Sequence, residues 1–181
     1  MMKRFRIGKG LWFSVILFVV LACSIVYYSS RSTMQNEIMR ELNDIHSGSN
    51  EIIVTQIKED QVFTLYEVDS HSIRYAYFKD KQFGLELLHS GGNAALQSDD
   101  GISWHVSERA NGEEAFYYGA VLDPAIAQIV IINSGVKSAQ IIEYEDKRAW
   151  FLADESRIKL PVHIRAIDLE GNVVYESYNG E

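Results

Sequence analysis

The hydrophobic pattern of this chain changes period twice. Leu11 to Tyr28, LWFSVILFVVLACSIVYY, is an apolar run of 18 residues without a charged side chain. As α-helix it rises about 27 Å at ~1.5 Å per residue, close to the ~30 Å hydrocarbon core of a bilayer. Residues 29–50 are polar, with Met34, Ile38, Leu42 and Ile45 at spacings of four, four and three. That is one helical stripe, suited to packing on a domain or to weak self-association through a stalk. Ser32 and Thr33 are N-cap candidates for a helix restarting here; the alternative is one helix running on from the apolar run. His46-Ser47-Gly48-Ser49-Asn50 reads as a flexible break.

From Glu51 the period is two. Ile102, Trp104 and Val106 alternate with Ser103, His105 and Ser107, and Ile73, Tyr75 and Tyr77 with Arg74 and Ala76. The first set predicts a core-facing Trp104 beside a solvated His105. Polar turns (KEDQ, KDKQ, SDDG, ANGE, YEDK, EGN) punctuate the sequence. Strands are predicted near 52–57, 62–68, 73–79, 83–89, 102–108, 115–122, 128–133, 138–145, 148–153 and 162–168, with 172–177 as an eleventh. Ile129-Val130-Ile131-Ile132 is apolar on both faces and predicts an interior strand. Pro161 precedes a strand, where a missing N–H costs least, and Asp123-Pro124-Ala125 reads as a single helical turn. The expected fold is mainly β: an antiparallel, immunoglobulin-like β-sandwich behind an N-terminal transmembrane helix and a short helical stalk. The division is a basic tail 1–10, a span 11–28, a stalk 29–50 and a domain 51–181. Phe116 to Tyr178 reads as a compact immunoglobulin-like unit, and 51–109 is either the other half of one larger sandwich, with 51–109 and 113–181 as two layers, or a small hairpin layer packed beside that unit.

Charge sharpens this division. Lys3, Arg4, Arg6, Lys9 and Arg31 are the basic residues of 1–31, which hold no acid. The other 12 of the 17 basic residues face all 25 acidic ones, so 32–181 carries a net charge of −13. Cations ahead of the span hold the N-terminus in the cytoplasm and put the domain outside. A domain so acidic has no footprint for nucleic acid or anionic lipid. Cys23, the single cysteine, lies in the apolar run, so the domain holds no disulfide, and no N-x-[ST] acceptor occurs. These features fit a bacterial cell-envelope protein.

Three other readings of the first residues exist. Leu11–Ala22 behind the basic leader has the length of a signal-peptide core. Val20-Leu21-Ala22-Cys23 is similar to a lipobox, which would lipidate Cys23; the apolar run continuing to Tyr28 favours the uncleaved span. A pilin-like subunit would follow a leader ending at Gly10, but Val15 stands where pilins usually carry glutamate. The layout resembles the uncharacterised single-span envelope proteins of Gram-positive bacteria, and the closing IRAIDLEGNVVYE is similar to strand–turn–strand units of bacterial immunoglobulin-like modules. The resemblance implies a small β-rich outer domain and brings no functional residues with it.

Candidate chemistry is sparse. His46, His71, His89, His105 and His163 lack the spacing that builds a metal site from one element. Asp99-Asp100-Gly101, with Glu108 seven residues on, invites a calcium loop, but the alternating strand after it predicts a plain turn. Glu113-Glu114 and Glu143-Tyr144-Glu145-Asp146 read as solvated turn charges, and His89-Ser90-Gly91-Gly92-Asn93 as a glycine-rich loop without a helix behind it. No nucleophile or phosphate-loop signature occurs. The expectation is a membrane-anchored, non-catalytic domain that binds or senses an envelope protein or ligand, with no catalytic residue, no metal and no cofactor. An enzyme would need two or more of His71, His89, His105, Asp99 and Asp100 to converge.

Overall fold

The computed structural model describes residues 9–48, 50–82, 84–108 and 114–177; within its helix the side chains of 15–27 and from 34 onward are described. Ser49, Phe83, Glu113, most of the basic tail and the last four residues lie outside the described residues, as do the side chains of Trp12, Tyr28, Ser32 and Thr33. Two compact units result, Met1–Arg40 and Glu41–Glu181.

One helix, α1, runs unbroken over Lys9–Ile45, so the apolar run and the stalk are one element and no helix restarts at Ser32. Among the described residues no helix is long and apolar enough to cross a membrane. The large apolar side chains described from Val15 to Tyr27 are exposed, Val15 at 50%, Phe18 at 74% and Val26 at 64%. In the second unit, Leu42 is buried in the last turns of α1. The break after it is held by hydrogen bonds rather than loose: the Asn50 amide donates to Asn43 Oδ1 (2.9 Å), the His46 carbonyl (3.1 Å) and the Gly48 carbonyl (3.3 Å).

Among the described residues twelve strands follow: β1 (Asn50–Lys58), β2 (Gln61–Val68), β3 (Ser72–Lys81), β4 (Gly84–Ala95), β5 (His105–Glu108), β6 (Ala115–Ala120), β7 (Ile126–Ile132), β8 (Val136–Ser138), β9 (Gln140–Tyr144), β10 (Lys147–Asp154), β11 (His163–Asp168) and β12 (Val173–Glu176). They build three four-stranded antiparallel sheets, ordered β1-β2-β3-β4, β5-β6-β10-β9 and β12-β11-β7-β8. The fold is mainly β.

The second sheet is the middle layer, because its strands supply both hydrophobic cores. Phe116, Tyr118, Ala149 and Phe151 pack with Phe63, Leu65, Ile73 and Tyr75 of the first sheet. Tyr117 and Trp150, the alternate positions, pack with Ile129, Ile131, Ile164 and Ala166 of the third. Every residue of β6 is therefore buried, as a strand covered on both faces must be. The described domain thus has three layers, with β1–β4 as a hairpin layer packed on the middle sheet.

The middle layer explains three further departures. The 102–108 pattern forms a strand only from His105; Ile102 makes an isolated bridge to Val121, and Ser103 passes so close to β6 that a Cβ on Gly119 would lie 1.9 Å from the Ser103 carbonyl oxygen. The apolar face of this stretch packs toward the third sheet. Its polar face is not solvated: His105 and Ser107 turn toward the first sheet and are half-buried. The predicted strand 138–145 is two strands in different sheets, β8 on β7 and β9 on β10, and the chain crosses between layers at Ala139. Neither glycine nor proline marks that crossing, which reads Ser138-Ala139-Gln140. Asp123-Pro124-Ala125 forms a turn in which Asp123 Oδ1 accepts the Ala125 N–H at 2.8 Å. As expected, β7 is an inner strand of its sheet, but that sheet is an outer layer in which Ala127 and Gln128 are exposed, so the expected cover on both sides is incomplete.

Candidate functional site

Hydrogen-bonded polar groups line both flanks of the seam between the first and middle sheets, while the other seam holds the buried Asp154, which accepts from Lys137 Nζ at 2.6 Å. On one flank the edge strands β4 and β5 approach. The buried Tyr75 hydroxyl of β3 contacts His89 Nδ1 at 2.5 Å and Ser107 Oγ at 2.7 Å. A tyrosine has one proton, so if it donates to His89 it accepts from Ser107. Tyr118 donates to the Gly91 carbonyl at 3.2 Å. Gly92 has φ +78°, and a Cβ there would lie 1.2 Å from the Tyr118 hydroxyl oxygen, so only glycine fits. His89-Ser90-Gly91-Gly92-Asn93 is therefore not a loop but an irregular part of β4, with its register shift opposite Ile73 and Tyr75. The His105 ring lies 5.6 Å from that of Tyr118. Burial pushes the Tyr75 and Tyr118 hydroxyls up and the His105 imidazole down, all toward neutral forms. His89 and His105 thus meet at one seam, bridged by the Tyr75 and Tyr118 rings at 5.5 Å. Ser107 meets a tyrosine hydroxyl, not an imidazole, so this contact gives the serine no general base.

On the other flank a carboxylate is buried. Glu67 of β2 is 3% exposed and accepts hydrogen bonds from Tyr144 (2.9 Å) and Lys147 Nζ (2.7 and 3.0 Å). Burial and the Glu67 carboxylate push Tyr144 well above its ordinary range, and the Glu67 contact raises Lys147. Tyr144 therefore belongs to an inter-sheet network rather than to the solvated turn expected, while Glu143, Glu145 and Asp146 are exposed. Glu67 was not singled out by sequence. Its one signal is an acid at the inward position after Phe63 and Leu65, and its lysine lies 80 residues away.

Cavities open at both ends of the same seam. One, about 310 Å³, is floored by Leu96, Val121, Leu122 and Pro124 and rimmed by Ser70, Asp146, Lys147 and Arg148. The other, about 120 Å³, has Phe63, Tyr77 and Phe116 beneath Gln56, Gln61 and Lys58.

The remaining candidates lie elsewhere. His46 faces Arg74, with Nε2 3.0 Å from the guanidinium, and burial followed by the Arg74 charge lowers its pKa. His71 is exposed in the β2–β3 turn, where its carbonyl accepts the Leu96 N–H at 2.8 Å. His163 is half-buried on β11. Asp99 and Asp100 are exposed in a turn closed by Gly101, whose carbonyl accepts the N–H groups of Leu122 and Asp123. Glu108 accepts the Ile158 N–H at 3.2 Å. Among the described residues no group of three or more His, Cys, Asp or Glu is placed to hold a metal ion. No protein family, no curated protein and no solved structure matches this chain.

Proposed function

We propose that this protein is a membrane-anchored, extracytoplasmic binding module of a bacterial cell envelope, non-catalytic and built on an immunoglobulin-like sandwich. The observation that carries the reading is α1: large apolar side chains from Val15 to Tyr27 are exposed along one continuous helix. Such a surface in water is a large uncompensated apolar area, and lipid is the solvent that removes it. With Leu11–Ser14 and Tyr28 the uncharged sequence reaches bilayer length, and the four cations ahead of it orient it N-terminus inside. The immunoglobulin-like reading is supported by strand order. β5-β6-β10-β9 corresponds to A-B-E-D, and β12-β11-β7-β8 to G-F-C-C′, with β1–β4 as an added layer. Binding rather than catalysis is supported by a seam with cavities at its ends and a serine directed to a tyrosine.

A reporter fused after Glu181 tests the anchor. Activity only outside the cytoplasm is expected, with mixed orientation when Lys3, Arg4, Arg6 and Lys9 are neutralised together; a cytoplasmic C-terminus overturns the reading. Mass spectrometry of the mature N-terminus tells an intact span from lipidation at Cys23 or cleavage after Gly10.

A further inference from the structure

The larger cavity has a defined chemistry. Its volume, about 310 Å³, sits at the bottom of the ~300–1,000 Å³ range of small-molecule sites, so a ligand that fills it is small. Its floor is aliphatic and its rim is charged. The rim charges differ in how they are used. Lys147 is committed to the buried Glu67. Arg148 meets no carboxylate among the described residues: it gives Nη2 to the Ile126 carbonyl (2.5 Å) and Nη1 to the Pro124 carbonyl (3.4 Å), both neutral. Its Nε is buried and has no hydrogen-bond partner among them. A guanidinium has five N–H donors and stays charged, so it retains capacity for an anion. Asp146, exposed in the β9–β10 turn, likewise makes no ion pair among the described residues. The rim thus presents one cation and one anion, neither in a direct ion pair among the described residues, around an apolar floor. The flanking turns are tightly specified, with Asp69, Ser70 and Glu145 at φ 51°, 57° and 48°, which favours a preformed site.

We infer that this cavity binds a small zwitterion with an apolar side chain, the chemistry of a free aliphatic α-amino acid. The carboxylate sits on Arg148, the ammonium on Asp146 and the side chain on the floor of Leu96, Val121 and Leu122. The charge of the domain supports this choice. A simple anion approaches against a net charge of −13, and a simple cation finds acidic surface in many places. A zwitterion carries no net charge and is selected only where both its ends are met. The inference rests on the binding-module reading and names its ligand class.

The test is calorimetric titration of the full chain in detergent micelles with three probes: leucine, 4-methylpentanoate, which lacks the amine, and 3-methylbutylamine, which lacks the carboxylate. Leucine should bind about tenfold more tightly than either, the size of one charged hydrogen bond. Asp146→Asn should remove the advantage over 4-methylpentanoate while leaving the Arg148 contacts untouched. Arg148→Gln should remove the advantage over 3-methylbutylamine; if that variant does not fold, Asp146→Asn decides alone. Absence of saturable leucine binding, equal binding of leucine and 4-methylpentanoate, or an unchanged Asp146→Asn variant each overturns the inference. An external reporter with no leucine binding discards this site and keeps the anchored module; a cytoplasmic reporter with leucine binding does the reverse.

Discussion

The two faces of the middle sheet are built to different rules. Toward the third sheet the buried Asp154 accepts from Lys137 Nζ at 2.6 Å, Tyr117 is buried, and Ile126, Ile129, Ile131 and Ile164 enclose the fully buried Trp150. Its Nε1 donates to the Ser103 carbonyl at 3.1 Å. Toward the first sheet the seam has an aromatic centre, Phe63 stacked on Phe116 at 4.9 Å and on Phe151 at 5.8 Å. That centre is flanked by hydrogen-bonded polar groups: Tyr75 with His89 and Ser107, and Glu67 with Tyr144 and Lys147. Aliphatic packing is non-directional and gives cohesion. Buried polar pairs must be satisfied in one register, so they position the added layer more than they stabilise it. The two seam cavities lie between the first and middle sheets, so under the proposed reading a ligand meets the first sheet.

The largest effect should come from the isoleucine-lined seam around Trp150. Trp150→Ala should cost about 3–5 kcal/mol, a large part of an ordinary domain's stability, measured by urea unfolding followed at the circular-dichroism strand band. A loss below about 1 kcal/mol would mean that cohesion does not reside there. The polar seam should respond differently. Lys147→Met leaves the Glu67 carboxylate buried with the Tyr144 hydroxyl still donating to it, at a cost of about 2 kcal/mol, less than for a fully enclosed pair because Lys147 is 30% exposed. Adding Glu67→Leu should restore most of that loss, since an apolar pair fits the seam as well. A double variant no better than the single one would show that the ion pair contributes cohesion and would erase the contrast between the faces.

Much of this was legible in the chain. Alternation located the strands because one residue in two faces a core, and Val130 with its neighbours marked an interior strand. What alternation cannot report is a second core. His105 and Ser107 read as solvent-facing because polar residues on a two-layer sandwich point to water. Here their face meets a further sheet, and Tyr75 satisfies Ser107 across it. The crossing at Ala139 was hidden because no glycine or proline interrupts Val136 to Tyr144. Neither the Glu67–Lys147 pair nor the joining of His89 to Tyr75 had a local signal, since each depends on which strands become neighbours.

The smallest predicted effect separates the faces by acid. Burial on the polar seam lowers the His105 pKa below its ordinary 6.5, and burial with the Arg74 charge does the same for His46 beside the first sheet. The unfolded chain binds these protons from about pH 6.5 downward, while the folded chain resists them. The unfolded state therefore holds more protons in that window, and stability, complete above it, declines as pH falls through it. The carboxylates lowered by their partners, Glu155 from 4.5 and Asp168 from 3.8, lose their contribution only below those values. Between about pH 6.5 and 4.5 the decline thus belongs mainly to histidines. The melting temperature should be level from about pH 8 to 7 and fall below about 6.5. His105→Gln should flatten part of that fall, and His46→Gln a separate part, because the two imidazoles have different neighbours. An identical fall in wild type and His105→Gln would show that the His105 face is solvated after all, and with it that the polar seam does not close over β5.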